Sequence, residues 1–338
     1  MTCVFSITQS QDVITNFLIG SSENFRNDTE VLIEGYMAPF GKWFGSGLNS
    51  GWYNTAKPHT FPGFDVTAGV HFIQPPQSAM AFSPSLQTLA ISNSELSTII
   101  GPGDDTQVLY TNPITNNMEN LFKAPGGLNW DGLLVMPYLQ GSIGLIKNTE
   151  VLFRLAPKVD VNDLSMGFWG LGFKHDIKQW VPGVKVLPFD VSFVAGYSNL
   201  KSDLDFTNPG QNLNFNVKAF NTNLVLSKKL SILTPYLGIG YQYSKSSLAL
   251  NGTYTIYDWD GEQIMAGQNI TVTNPFDFSF GGVNGFKASM GARLKLFLFT
   301  IHIDWTKAEY DIFTLGIGLN SDIGSKLIGG TINRKVND

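Results

Sequence analysis

The sequence predicts an all-β protein whose strands form an antiparallel transmembrane β-barrel. Only 14% of its 338 residues are charged, whereas an average soluble domain carries about 25%. No run of about 18–20 uninterrupted apolar residues is present that could form a membrane-spanning helix. Apolar and polar residues instead alternate along many segments, which is typical of strands that separate lipid from a polar lumen.

The clearest alternation lies in residues 283–305, which we predict to form an antiparallel hairpin. Phe286 and every second residue after it are apolar or small, and the pattern resets at residues 297–298. Successive side chains of a strand point to opposite faces, so the apolar face is expected to contact lipid. The polar face, together with Arg154 on an earlier predicted strand, supplies the candidate lumen-lining residues: Arg154, Lys287, Arg293, Lys295, His302 and Asp304.

Several interpretations of these lumen-lining residues remain open. Their charges could pair with one another and fill the lumen, they could line a weakly anion-selective or polar-solute path, or they could form the polar support beneath a plug. Similar alternation recurs from Phe64 to Leu319, which predicts a barrel of about 10–14 strands. At Phe220 the alternation slips by one residue, which predicts a β-bulge. We expect the barrel to span residues 61–320 with a long insertion at 77–133, followed by a polar tail at 321–338.

The N-terminal region has a different pattern. Residues 1–10 lack the basic start of a complete signal peptide and are expected to be the remnant of one. Residues 11–60 are expected to form a helix from about Ser21 to Met37, ended by Pro39, and then an irregular plug. The candidate plug residues are aromatic: Tyr36, Phe40, Trp43, Phe44, Trp52 and Tyr53.

Other classes of function find little support in the sequence. The net charge is −5 and no basic patch indicates nucleic acid. The single cysteine, Cys3, excludes an intramolecular disulfide, and no histidine cluster has metal-site spacing. We therefore predict no cofactor, no metal and no enzymatic activity. The less favoured alternative is a lipid hydrolase that uses His175 on the outer wall, although no serine with matching alternation accompanies this residue.

Residues 32–76 resemble an uncharacterised family of predicted outer-membrane proteins from Bacteroidetes. The string GLNSGWYNTAKPH, followed by a GFDVT strand, is the most specific part of this resemblance. Residues 170–183 and the following PFDVSFVAGY are similar both to that family and, more distantly, to the fatty-acid transporter-like barrels. The resemblance implies an outer-membrane barrel with an N-terminal segment that enters the lumen. Fatty-acid transporter-like barrels move hydrophobic compounds through a plugged lumen.

The expected function is passive transport of a small hydrophobic solute through a plugged lumen in the bacterial outer membrane. Lipid is then a partner of the outer wall, and a hydrophobic small molecule is a partner of the lumen. The alternative is a barrel that transports nothing and serves as a subunit or scaffold, with other outer-membrane proteins as partners.

Overall fold

Ten strands of the protein pair antiparallel in a closed circle in the computed structural model, which describes residues 25–112, 114–130, 132–161, 163–181, 188–259 and 264–321. The predicted all-β barrel with an N-terminal helix is therefore confirmed. The expected signal-peptide remnant and most of the expected polar tail lie outside the described residues.

The chain begins with one long helix, α1 (Arg26–Asn49), and continues into the strands. The barrel strands are β1 (Phe64–Gln74), β7 (Leu134–Leu145), β8 (Thr149–Val161), β9 (Leu164–Asp176), β10 (Asp190–Asp205), β11 (Asn212–Ser227), β12 (Leu233–Asn251), β15 (Phe276–Leu296), β16 (Phe299–Lys307) and β17 (Asp311–Ser321). The remaining strands form small sheets outside the circle: β2 (Ala81–Phe82), β3 (Leu89–Ile91), β4 (Leu96–Ser97), β5 (Thr106–Thr111), β6 (Met118–Ala124), β13 (Thr253–Trp259) and β14 (Ile264–Thr273). Short 3₁₀ turns occupy Gln77–Ala79 and Lys178–Trp180.

The two ends of the barrel differ in their connections. We call the end where β1 starts and β17 finishes the turn end, because β15 and β16 are joined there by residues 297–298 alone. The opposite end, the loop end, carries two long connections, residues 75–133 and 252–275. We call residues 75–133 the excursion. The small strands β2 to β6 of the excursion, and the hairpin β13–β14 of residues 252–275, form separate sheets, and none of them joins the barrel wall.

The outer surface changes character between the two ends. Near the turn end the outward side chains are apolar and exposed, among them Leu224, Leu226, Leu237, Ile239 and Met290. Towards the loop end the outward positions become polar, as at Lys218 and Lys245. There the inward positions become apolar instead: Phe215, Val217, Leu248 and Leu250 are buried. Exposed Trp169, Tyr197, Tyr241 and Tyr243 lie close to this change.

The predicted bulge at Phe220 is wrong. The register of β11 with both β10 and β12 runs through Phe220 without interruption. The alternation slips because the apolar side chains move from the inner face, at Ala219, to the outer face, at Phe220. A register shift does occur between β12 and β15, at Tyr243 and Lys245.

The predicted end of the helix at Pro39 is also wrong. Helix α1 passes through Pro39 and continues to Asn49, so half of the predicted irregular plug is helical. The helix lies inside the barrel, where a chain without regular structure would leave many backbone polar groups unpaired. Burial therefore outweighs the local cost of a proline, whose ring removes one helical hydrogen bond. No helix among the described residues has the length and apolar character needed to cross a membrane.

Candidate functional site

The interface between the N-terminal segment (residues 25–60) and the inner wall is the candidate functional site. Helix α1 approaches the wall closely through glycines. A Cβ added to Gly41 would lie 3.1 Å from the Cβ of Ser246, and one added to Gly47 would lie 2.8 Å from Ile73. Glycine is the residue that permits such close approach of a backbone to another surface.

We call the half of this interface nearer the loop end the loop half, and the half nearer the turn end the turn half. The loop half is apolar. The rings of Phe40 and Phe44 meet edge to face with centroids 4.8 Å apart, and Phe215 of β11 lies 5.6 Å from Phe40. Trp43 packs against Trp130, which ends the excursion, at 5.3 Å. Edge-to-face pairs of this kind add stability beyond the area that they bury. The loop half of the lumen is thus filled by aromatic rings from the helix, the wall and the excursion.

The helix ends inside the barrel, and two cations of the wall bind its last carbonyl groups. Arg154 of β8 donates to the carbonyl oxygens of Ser50 and Gly51, each at 2.6 Å. Lys287 of β15 donates to the carbonyl oxygen of Asn49. The C-terminal end of a helix has unpaired carbonyls and a partial negative charge, so cations stabilise it. These two residues, both predicted to line the lumen, therefore hold the helix end rather than lining an open path.

Arg154 is also held by its neighbours on both faces. Its guanidinium lies 4.4 Å from the ring centroids of Trp52 and Tyr138, one on each side. Gln140 of β7 accepts from its Nε at 3.0 Å and from its Nη2 at 2.7 Å. Cation–π contacts strengthen when the cation is removed from water, and Arg154 is fully buried.

Trp52 fits against a part of the wall that has no side chains. A Cβ added to Gly170, Gly172 or Gly196 would lie 3.1, 2.7 or 2.6 Å from the Trp52 ring. The indole Nε1 donates to the carbonyl oxygen of Leu48 at 2.9 Å. The next residue, Tyr53, hydrogen-bonds Ser289 of β15 at 2.6 Å.

Buried ionic contacts hold the segment at the turn end. Glu150 of β8 lies 3.0 Å from Lys174 and 3.0 Å from Nδ1 of His59, and it accepts from the His59 backbone N–H at 3.0 Å. On the other side of the lumen, Arg293 pairs with Asp65 at 3.3 Å. A buried pair of this kind is costly to break because the remaining charge is left unpaired.

The six predicted lumen-lining residues all lie on the inner face, but not as one group. Arg154 and Lys287 bind the end of α1, whereas Arg293 binds Asp65 and Asn54 near the turn end. Lys295 hydrogen-bonds Asn320. Asp304 accepts from the hydroxyl of Tyr236 at 3.1 Å. Five of the predicted plug residues pack against the inner wall, namely Phe40, Trp43, Phe44, Trp52 and Tyr53. The sixth, Tyr36, is buried against the excursion, where its hydroxyl donates to the carbonyl oxygen of Gly126 at 3.2 Å.

Sequence reasoning missed Asp65, Lys174 and His59. Lys174 alternates with the outward Phe173, so the alternation itself could have placed it on the inner face. Asp65 could have been found in the same way, since it lies between the outward Phe64 and Val66. His59 lies in a segment without periodicity, and no sequence signal places it beside Glu150.

Several buried polar atoms of the helix and the inner wall have no hydrogen-bond partner among the described residues: Ser46 Oγ, His71 Nε2, Tyr138 Oη, Gln242 Oε1, Ser246 Oγ, Thr300 Oγ1 and both ring nitrogens of His302. Buried polar atoms are normally satisfied by protein or by water.

His175 does not present a free base on the outer wall. Its Nδ1 lies 2.8 Å from Thr149 Oγ1, and its Nε2 accepts from the indole N–H of Trp180 at 2.8 Å. A general base needs an unengaged nitrogen within reach of the proton that it removes. In the part of the chain that the structure describes, no group of three or more histidine, cysteine, aspartate or glutamate residues could hold a metal ion.

Solved structures that resemble this chain are barrels from bacteria. The translocator domain of the autotransporter NalP from Neisseria meningitidis has 9% identity and a TM-score of 0.28, covering 81% of this chain and 90% of its own. The beta domain of the Bordetella autotransporter BrkA has 9% identity and a TM-score of 0.33, covering 77% and 98%. The toluene transporter TodX of Pseudomonas putida has 8% identity and a TM-score of 0.24, covering 79% and 94%.

No curated protein matches this chain. One family is matched over almost all of it, from residue 1 to residue 321, and that family is described as a family of unknown function (DUF6588). The expectation of an uncharacterised family is therefore confirmed, and the chain belongs to the family of unknown function DUF6588.

Proposed function

We propose that this protein is an outer-membrane barrel whose N-terminal segment gates the passive passage of a small hydrophobic solute. The observation that carries the proposal is the division of the lumen. Its loop half is filled by aromatic rings, and its turn half is closed by Trp52, Tyr53 and the polar contacts of the segment with the wall. A solute could enter the first half by displacing these rings and cross the second when the segment shifts.

The outer surface supports a place in a membrane. Exposed apolar residues cover the turn half of the outer wall, and exposed aromatic residues lie where this surface becomes polar. Transmembrane barrels have such an apolar band with aromatic residues at its edges. The loop half, with Lys218 and Lys245 facing outward, is then outside the bilayer. Membrane lipid is accordingly the proposed partner of the outer wall.

The aromatic residues in the loop half of the lumen support the proposal that the solute is hydrophobic. Binding pockets for small molecules are mostly apolar, with a few polar groups. Phe40 and Phe44 of the helix and Phe215 of the wall form an aromatic surface between the two. A charged solute would lose its hydration there without gaining a partner.

The polar closure of the turn half makes a shift of the segment feasible. A hydrogen bond within the protein, which water can replace, contributes only about 0.5–1.5 kcal/mol to the free energy of the closed arrangement. Water entering between the segment and the wall can replace hydrogen bonds such as those of Tyr53 with Ser289 and of Ala56 with Ser227. Opening would in addition separate Trp52 and Tyr53 from the apolar wall residues that they contact.

A disulfide that ties the helix to the wall tests this proposal. The double variant Gly41→Cys/Ser246→Cys, in a Cys3→Ser background, joins α1 to β12. The two Cβ positions lie 3.1 Å apart, close to the separation of about 3.5–4.5 Å found in disulfides. The assay is uptake of the hydrophobic dye N-phenyl-1-naphthylamine by Gram-negative host cells that express the protein.

We expect the parent to raise dye uptake above that of cells without the protein. The oxidised double variant should remove this increase and a reducing agent should restore it, whereas the single variant Ser246→Cys, which leaves Gly41 in place, should behave as the parent under both conditions. Full uptake by the oxidised double variant, with the disulfide confirmed by mass spectrometry, would contradict gating by the segment.

The second candidate function is a closed barrel that acts as a subunit or scaffold. The observation in its favour is the number of buried contacts that hold the segment, above all Glu150 with Lys174 and His59. This candidate predicts no dye uptake by the parent in either redox state. It also predicts that protein partners in constant ratio accompany the barrel when it is purified in mild detergent.

A further inference from the structure

The direction in which the N-terminal segment runs through the barrel decides on which side of the membrane helix α1 starts. We propose that the barrel carries the start of α1 across the membrane and presents it on the side of the long loops. The proposal rests on the membrane placement proposed above, but not on transport of a solute.

The C-terminal part of the segment is fixed at the turn end. The backbone N–H of Ala56 donates to Ser227 Oγ at 3.0 Å, and Ser227 is the last residue of β11. His59 binds Glu150, next to the short turn between β7 and β8. The carbonyl oxygen of Gly63 accepts from Gly144 at 2.8 Å, and β1 then starts at Phe64. The chain therefore enters the barrel wall from the turn end.

The N-terminal part is fixed at the loop end. Asp28, in the first turn of α1, accepts from the backbone N–H groups of Gln87, Thr88 and Leu89 at 2.7–3.1 Å. About two turns along, the carbonyl oxygen of Tyr36 accepts from Ile99 at 3.0 Å. These partners belong to the excursion, which connects β1 to β7 at the loop end. The segment thus crosses the whole barrel once, from the loop end to the turn end.

The start of the helix is accessible at the loop end. Arg26 and Asn27 are exposed, and so are Val31 and Glu34 farther along the helix. The excursion binds one face of this region and leaves the other uncovered. The first turn of α1 is therefore accessible at the loop end of the barrel.

The two ends of an outer-membrane barrel face different compartments. Short turns face the periplasm and long loops face the exterior. The excursion and residues 252–275 make the loop end the exterior end. The start of α1 is accordingly on the cell surface, although β1, which follows the segment, starts on the periplasmic side. The barrel thus presents the first turn of α1 to the exterior.

Cysteine labelling of intact cells tests the direction. In a Cys3→Ser background, Asn27→Cys marks the helix start and Ile114→Cys, at a residue 65% exposed on the excursion, marks the loop end. Lys229→Cys marks the turn between β11 and β12. The probe is a maleimide that does not cross membranes, applied to intact cells and to permeabilised cells.

We expect Asn27→Cys and Ile114→Cys to be labelled equally in intact and permeabilised cells, and Lys229→Cys only after permeabilisation. Labelling of Ile114→Cys but not Asn27→Cys in intact cells would overturn the proposal, and so would labelling of Lys229→Cys in intact cells. Membrane fractionation and a gel that compares boiled with unboiled protein, run on the same variants, report separately on the membrane placement. A soluble protein whose migration is unaffected by boiling would contradict that placement itself.

Discussion

The guanidinium of Arg154 lies 4.4 Å from the ring centroid of Trp52, which joins a cation of the wall to an aromatic residue of the N-terminal segment. The same guanidinium binds the carbonyl oxygens of Ser50 and Gly51. Arg154 of β8 therefore shares with Lys287 of β15 the binding of the end of α1, and the loss of the Arg154 side chain should loosen the segment from the wall.

Arg154→Met should lower the free energy of unfolding by about 2–4 kcal/mol, because two buried carbonyl groups lose charged donors. Urea unfolding of the barrel in detergent micelles, followed by gel mobility without boiling, measures the change. Lys158→Met on the same strand is the control: its side chain is exposed and lies 3.9 Å from Asp160. We expect this control to stay within about 0.5 kcal/mol of the parent. Equal effects of the two substitutions would contradict the role given to Arg154.

Gly196→Ala should destabilise the barrel, because the added Cβ would lie 2.6 Å from the Trp52 ring. Overpacking of a filled interior typically costs about 1–3 kcal/mol. Gly141→Ala is the matched control, since nothing lies within 4 Å of a Cβ at that position. The temperature at which the unboiled band disappears from the gel should fall for Gly196→Ala alone. An unchanged temperature would show that Trp52 does not occupy this part of the wall.

Asp28 should make the attachment of the excursion depend on pH. Burial alone would raise the pKa of Asp28, but the hydrogen bonds from Gln87, Thr88 and Leu89 outweigh it and hold the pKa below the ordinary value of 3.8. A carboxyl group with a lowered pKa stabilises the folded state fully above its unfolded pKa. That stabilisation is lost as the pH falls from 3.8 through the folded pKa.

The variant Asp28→Asn measures this contribution. The difference in free energy of unfolding between parent and variant should be largest near neutral pH and should shrink as the pH falls below 3.8. Urea unfolding series at several pH values give this difference directly. A difference that stays constant down to the lowest pH would show that ionisation of Asp28 does not stabilise the contact.

Introducing an arginine on the outer wall should distinguish positions that contact lipid from positions that contact water by its cost in stability. Ile239 is 63% exposed on the outer face of β12, and Leu230 is 48% exposed in the turn before that strand. In the proposed membrane, Ile239→Arg should cost about 2–4 kcal/mol, whereas Leu230→Arg should cost little. Urea titration of folding into lipid vesicles measures both. Equal costs would contradict contact between this part of the wall and lipid.

The faces of the wall strands could be predicted from sequence because the side-chain period of a strand is two residues. Phe286 and Lys287 are adjacent in the chain, yet one is exposed outside and the other is buried inside. The same reasoning failed at Phe220, because it assumed that one kind of residue keeps to one face. A strand longer than the apolar band of the wall has polar residues outside at one end and apolar residues outside at the other.

The helix and its contacts were harder to predict, because tertiary packing decided them. Pro39 ends most helices by its local geometry, but here the surrounding wall favours continued helix up to Asn49. The pairing of His59 with Glu150 joins residues far apart in the chain. This pairing depends on how deep the segment lies in the barrel, which cannot be predicted from a local sequence pattern.

The three glycines beneath Trp52 bear on the order in which the barrel is assembled. The N-terminal segment is made before every strand, yet it ends inside a circle that is completed only when β1 pairs with β17. If that last seam closed first, Trp52 would have to pass through a finished ring to reach Gly170, Gly172 and Gly196. We therefore expect the segment to act as the template on which the strands are arranged, so that the seam closes around an occupied interior.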